Sequence, residues 1–230
     1  MLTDLHVGSP FNGLDKLRDV VARTNEARPD LVCILGDLVI NGVKGGSFVT
    51  PEDIARELGR LQAPAGVFAV LGNHDAWFNA TRVEQALVNA RIEVLQDRAV
   101  RLPPAFGGIW VAGVSDFWTG RHDVNGALSG ITDTTSPLVV ITHNPDVFPE
   151  IPARVSLTIA GHTHGGQVRL PFIGPLVVPS RYGQRFAGGH IVENGRHLYV
   201  ATGIGTSILP FRLGVPPAIN VLRVGSKCAL

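Results

Sequence analysis

Charge is scarce in this chain: Asp, Glu, Lys and Arg make up 17% of its 230 residues, and the formal net charge is +1. A nucleic-acid-binding surface would show as a basic excess or a basic stripe, and neither is present. Cysteine is scarcer still. Cys33 and Cys228 stand far apart in the sequence, which gives no disulfide framework. Cys33 lies in the apolar run 31–35 and reads as a buried, inert thiol. No stretch approaches the ~20 apolar residues of a membrane-spanning helix, and no signal peptide is visible. Internal repeats, low-complexity tracts and linkers are missing too. What remains is a composition 45% hydrophobic, globular and without a disorder signature. It suffices for one sizeable domain over residues 1–230 with a full core.

Helical and strand patterns alternate along the chain. Leu14, Leu17, Val20, Val21 and Thr24 recur at helical spacing. Residues 31–35 predict a buried strand that ends at Gly36-Asp37. Thr50-Pro51-Glu52-Asp53 reads as a helix start, with an N-cap, a proline at the first helical position and acids in the first turn. Ile54, Leu58 and Leu61 form its apolar face. Residues 67–71 predict a second buried strand, ending at Gly72-Asn73-His74-Asp75. A helix over 81–90 follows, with Val83, Ala86, Leu87 and Ala90 inward. The second half is richer in strand, with apolar runs at 109–114, 138–142 and 157–160. Asn194-Gly195 predicts a tight hairpin turn between 191–193 and 197–201. A last strand is expected over 218–224. This order implies sheets covered by helices.

Five polar clusters sit just beyond the apolar runs: Asp4-Leu5-His6, Gly36-Asp37, Gly72-Asn73-His74-Asp75, Thr142-His143-Asn144 and Gly161-His162-Thr163-His164-Gly165-Gly166. Loops at the carboxyl ends of strands in one sheet converge on one crevice. Asp4 and His6 are two apart, as are His162 and His164, so in an extended segment each pair faces one way. Imidazole and carboxylate suit Zn, Fe and Mn, and no cluster contains a thiolate. Two ions about 3.5–4 Å apart need a shared anionic ligand and further ligands on each side. Asp4, His6, Asp37, Asn73, His143, His162 and His164 supply that number. The glycines beside them allow sharp turns and close backbone approach. A lone histidine is more often structural than a ligand, but His6, His74, His143, His162 and His164 all fall in these clusters, out of 8 in the chain. His122, His190 and His197 have no such context. His197 reads as structural, and His122 as a candidate for a substrate rim.

The order Asp-x-His, Gly-Asp, Gly-Asn-His-Asp, His, Gly-His-Thr-His resembles the calcineurin-like metallophosphoesterases, over Asp4 to His164. The resemblance implies an α/β fold, a four-layer α/β/β/α sandwich with two mixed β-sheets. It implies Asp4, His6 and His164 on a first metal, Asn73, His143 and His162 on a second, and Asp37 bridging them. His74 would contact the phosphate and assist the leaving group, with Asp75 orienting His74. A metal-bridging hydroxide would attack phosphorus in line. The ligand set accepts Mn, Fe, Zn or Co as divalent or trivalent ions, with Mn or an iron-containing pair favoured. Within the family, Gly165-Gly166-Gln167, Thr202-Gly203-Ile204-Gly205 and Pro210-Phe211-Arg212-Leu213 look like the YkuE-type branch. Some of its members resemble UDP-2,3-diacylglucosamine hydrolases, which points to a phosphoester that is nucleotide- or lipid-linked. The branch often carries an N-terminal membrane segment or export signal. Here the first motif begins at Asp4, so the first strand reads as truncated and the natural chain as extending upstream.

Two Pro-rich apolar stretches, 170–179 and 208–217, follow the last motif. Either they pack on the sheets as core, or they stand as loops whose side chains meet a membrane or a ligand. Arg181, Arg185 and Arg212 are nearby cations able to meet phosphates. The residues leave open a phosphodiesterase or pyrophosphatase and a phosphomonoesterase. A metal-free scaffold would be expected to have lost ligands, and none is missing. The His-x-His-x-Asp-His run of metallo-β-lactamase-type hydrolases is absent. Oligomeric state is not written in the sequence.

Overall fold

The computed structural model describes residues 1–225; Cys228 lies outside them. Three short parallel strands, β1 (Val32–Ile34), β2 (Val67–Ala69) and β3 (Glu93–Val94), form a first sheet in the order β1-β2-β3. The N-terminal segment runs alongside, with Leu2 bridged parallel to Ile34. A second sheet comprises β4 (Arg98–Arg101), β5 (Trp110–Val114), β6 (Leu138–Thr142), β7 (Leu157–Ala160), β10 (Gly189–Glu193) and β11 (Arg196–Val200). Their order is β10-β11-β7-β6-β5-β4. A separate small hairpin, β8 (Arg169–Leu170) and β9 (Gly174–Pro175), lies between them in sequence. In the second sheet the interior strands β5, β6, β7 and β11 pair in parallel, and the two outer pairs are antiparallel.

Side-chain alternation builds the layers. Val32 and Ile34 face a core shared with Leu17, Val20 and Val21 of α1 (Leu14–Glu26), Ile54 and Leu58 of α2 (Pro51–Leu58), and Val83 and Leu87 of α3 (Asn73–Asn89). Cys33 between them points the other way, into a core that joins Phe68, Val70 and Leu95 to Val111, Val139, Ile141 and Ile159 of the second sheet. Ala112, Val114, Leu138 and Val140 line a third core under α4 (Val124–Leu128) and the 3-10 turns Pro145–Glu150 and Gly183–Phe186. The result is helices, sheet, sheet and a thinner helical layer, an α/β/β/α sandwich. Both sheets send strand ends toward the same set of loops.

Several local expectations need revision. The third helix starts at Asn73, well before 81, and breaks at Asn79 (φ −178°, ψ 93°). Asn, His and Asp are weak helix formers, yet the Asp75 carboxylate accepts the Gly72 N–H and fixes the first turn. Asn79 caps the second piece by accepting from the Arg82 N–H. Leu61 is buried but lies beyond the end of α2. No strand forms over 218–224: Ala218 donates to Gly203 and Asn220 to Met1, without a continuous ladder. The Asn194-Gly195 turn has φ of 52° and 74°, both positive as a type I′ turn requires.

The apolar stretches are mostly exposed, although Pro175 and Val215 within them are buried. The β8–β9 hairpin carries Phe172 fully exposed at its tip. Ile173, Leu176, Val177, Ile208, Phe211 and Leu213 are at least half exposed. The two stretches are locked together, because the Gln167 side chain bonds Ser207 and Leu209.

Candidate metal centre

The seven expected ligands, from loops on both sheets, meet in one place, and each is at most 5% exposed. Asp4, His6 and His164 form one group of donor atoms, and Asp37, His143 and His162 form another. The Asp37 Oδ2 atom lies 3.5 Å from His6 Nε2 and 3.3 Å from His143 Nε2, so one carboxylate reaches both groups. His164 Nε2 is 3.4 Å from Asp4 Oδ1 and 3.2 Å from His6 Nε2. Asn73 Oδ1 is 3.1 Å from His143 Nε2, which is 3.1 Å from His162 Nδ1. Two donors each ~2.1 Å from one ion lie ~3.0–3.4 Å apart at ordinary coordination angles. The separations therefore fit shared ions.

The backbone here is unusual. Asp4, His6, Asp37, His162 and His164 all have positive φ, between 40° and 70°. Non-glycine residues in this region cost about 1–3 kcal/mol each and concentrate at functional sites. The expectation that each Asp-x-His or His-x-His pair faces one way through strand alternation is therefore corrected: the carriers are left-handed turns. Asp4 and His6 still share a group, whereas His162 and His164 divide between the two. A side chain at Gly72 would collide with the Asp37 carboxylate, and one at Gly161 with Thr3.

Hydrogen bonds aim the rings. His143 Nδ1 faces the Leu35 carbonyl at 2.6 Å and His6 Nδ1 the Val39 carbonyl at 3.3 Å, leaving both Nε2 atoms toward the cluster. Such outer partners fix ring orientation at metal sites. Burial lowers His6 to about 4 and His162 to about 3, and holds His164 well below its ordinary value. Burial thus favours the neutral form of these three rings, the form that binds a metal. Burial alone would lower His143, but Asp37 and Asp4 raise it to about 10. Burial alone would raise Asp37, but His143 and His6 hold it well below the carboxylate range. Burial, reinforced by Asp37, raises Asp4 to about 7.

His74 is half-buried, its ring 4.7 Å from that of His6 and its backbone N–H on Asp37 Oδ1. Burial lowers its pKa, and its Nδ1 has no partner. Asp75 does not orient His74: its two oxygens accept from the N–H groups of Gly72, Asp37, Leu38 and Val39. It positions the Asp37 turn instead. Arg212 is not a rim cation. Its guanidinium donates to the carbonyls of Gly205, Thr202 and His164 and to His164 Nδ1 at 3.0 Å. Arg181 lies 4.5 Å over the Phe117 ring, and Arg185 is paired with Glu193. His122 packs on Phe117 and lines a surface groove with Arg121, Asp123 and Glu150 that no ligand residue lines. His190 and His197 stack on each other, exposed, on the β10–β11 hairpin.

Two residues beside the cluster escaped sequence reasoning. Trp77 packs on His74 and Trp118 on His162. A signal existed: Trp77 falls one helical turn after His74, on a helix that begins before its apolar pattern does.

A family description, calcineurin-like phosphoesterase, matches residues 1–166. The metallophosphoesterase YkuE of Bacillus subtilis (strain 168), itself uncharacterized, is 32% identical over 97% of this chain and 77% of its own length. The phosphodiesterase YaeI of Escherichia coli (strain K12) is 31% identical over 97% of this chain and 80% of its own length. A solved 5'-nucleotidase precursor from Thermus thermophilus is 16% identical, with a TM-score of 0.48, over 88% of this chain and 48% of that one.

Proposed function

The chain belongs to the calcineurin-like phosphoesterase family and its YkuE-type branch, and from that premise we propose that this metal-dependent phosphoesterase cleaves phosphodiesters or pyrophosphates. The observation that carries the reading is the position of Asp37, whose Oδ2 lies within 3.5 Å of donors from both groups. Asp4, His6 and His164 would hold one ion, Asn73, His143 and His162 the other, and Asp37 would be shared by both. A metal pair held there would supply an acidified water as nucleophile and would neutralise charge building on the phosphate oxygens. His74, half-buried beside Asp37, would give a proton to the departing oxygen. Asp75 fixes the Asp37 turn, and Arg212 fixes the His164 ring. All donors are N or O, and the buried Cys33 thiol lies in the inter-sheet core; such a set accepts Mn, Fe, Zn or Co, and among these Mn or an iron-containing pair is our preference.

Diester rather than monoester cleavage is favoured by the cations. A monoester dianion calls for extra positive charge, yet Arg212 is spent on His164 and backbone carbonyls and Arg181 sits over Phe117. The Escherichia coli relative's name points the same way. Turnover of bis-p-nitrophenyl phosphate against p-nitrophenyl phosphate, with metal analysis of the purified protein, tests this. The diester is expected to give the larger kcat/KM; a clear preference for the monoester counters it.

A peripheral membrane contact is a second element of the reading. The exposed apolar loops around Phe172 and Ile208 adjoin Arg169, and Glu193 is the sole acid after Glu150 in the sequence. Apolar tips with an unbalanced positive charge suit an anionic lipid surface. No helix among the described residues is long and apolar enough to cross a membrane. Co-sedimentation with phosphatidylglycerol vesicles is expected, and Phe172→Ser with Ile208→Ser is expected to weaken it about tenfold or more. Equal sedimentation of both proteins removes this element.

A further inference from the structure

Trp77 and Trp118 are 53% and 47% exposed, large apolar surfaces left open to water at the edge of a buried polar centre. The Trp77 ring lies 5.0 Å from the His74 ring, and Trp118 meets His162 edge-to-face at 4.4 Å. The two indoles are near-parallel, inclined by 21° with centroids 6.4 Å apart. Both are rigidly mounted. Trp77 stands near the start of α3. The Trp118 loop is pinned by the buried Asp116, whose Oδ2 accepts from the N–H groups of Trp118 and Thr119 and from the Thr119 hydroxyl. Neither ring has a packing duty in the three apolar cores.

We propose that Trp77 and Trp118 form a stacking platform for a planar ring carried by the ester, which makes the substrate class a nucleoside or aryl phosphodiester. This rests on the reading of the centre as a phosphodiesterase. The platform adjoins His74, the group assigned to the departing oxygen, so a ring resting there belongs to the leaving side of the ester. An acyl chain would need an enclosed apolar groove, and this surface is open and flanked by imidazoles. A sugar would need hydrogen-bonding partners, and beside Trp118 the Asp116 Oδ2 atom is taken by its own loop while Asp116 Oδ1 is buried out of reach. Aromatic faces accept any base or aryl ring, because stacking does not read hydrogen bonds.

The test compares adenosine 5'-monophosphate with ribose 5-phosphate as inhibitors of bis-p-nitrophenyl phosphate hydrolysis by the metal-loaded protein. The two share the phosphate and differ in the ring. Stacking predicts that the nucleotide binds about fivefold to hundredfold more tightly. The advantage should collapse toward unity in Trp77→Leu/Trp118→Leu, with ribose 5-phosphate inhibition unchanged, and should survive in Trp77→Phe/Trp118→Phe. Tryptophan fluorescence reads the platform without turnover: the nucleotide quenches it and ribose 5-phosphate does not. Equal inhibition and equal quenching by the two ligands overturn the platform, as does a nucleotide advantage that persists in the leucine variant. Absence of diester turnover with nucleotide-specific quenching retained would count against the phosphodiesterase reading while leaving the platform standing.

Discussion

The candidate ligand cluster and the rim around it differ in burial. The seven ligand side chains are almost fully buried, and five of them sit on left-handed backbone. The rim is made of exposed tryptophans and two apolar loops, tied down by the polar contacts of Gln167, Asp116 and Arg212. Strained and desolvated groups persist when their surroundings hold them in place. Here the surroundings are Asp75 under the Asp37 turn and Arg212 behind His164. The rim tips Phe172 and Ile208 are left-handed as well, with φ of 66° and 60°, but they stand in water and desolvate no polar group. The difference teaches where each kind of substitution should act: at the centre on metal and chemistry, at the rim on recognition alone.

The largest effect is expected at Asp37. Asp37→Ala removes the shared carboxylate, so bound metal should fall below two ions per chain and diester turnover by about a thousandfold or more, the scale of losing metal-assisted activation of water. Metal analysis beside the activity assay checks this, and full metal content with full turnover would erase the distinction between centre and rim. Next comes His74. His74→Ala should keep its metals and lose ~10²–10⁴ in kcat, the usual share of general acid catalysis. Loss of metal in that variant would move His74 into the ligand set.

Asp75 sharpens the comparison from the side of stability. Asp75→Ala strands the buried N–H groups of Asp37, Leu38, Val39 and Gly72. At ~1–3 kcal/mol for each unsatisfied buried group, it should lower unfolding free energy by at least ~3 kcal/mol, read by denaturant titration of the metal-free protein. Arg212→Met should weaken metal affinity ~10–100-fold, the range for outer partners of ligating histidines, seen by competition with a chelator. The smallest effect belongs to the rim: Phe172→Ser should change stability by less than ~0.5 kcal/mol and leave hydrolysis of a soluble diester within about twofold. A large loss there would mean that the hairpin shapes the centre.

The convergence of the candidate ligands was readable because its chemistry is written in residue types: His, Asp and Asn beside glycine, just after apolar runs. The strands β6 and β7 were readable for the same reason, as short apolar runs with clear ends. The start of α3 was not, because the capping contact that makes Asn73 helical comes from a side chain that reads as catalytic. Asp75 and Arg212 were given roles by their charge, and the hydrogen bonds that redirect them join residues 37 and 75, or 164 and 212, which no local pattern links. Trp77 and Trp118 lie 41 positions apart and meet only through the fold. The exposure of 170–179 and 208–217 follows from tertiary packing, since apolar composition alone fits a core as well as a surface.

Anomalous scattering from crystals of the protein grown with manganese tests the central claim most directly. Two peaks about 3.5–4 Å apart, with the Asp37 carboxylate between them and His6 and His143 on opposite sides, are the predicted result. A single peak, or two peaks with Asp37 touching neither, would contradict it.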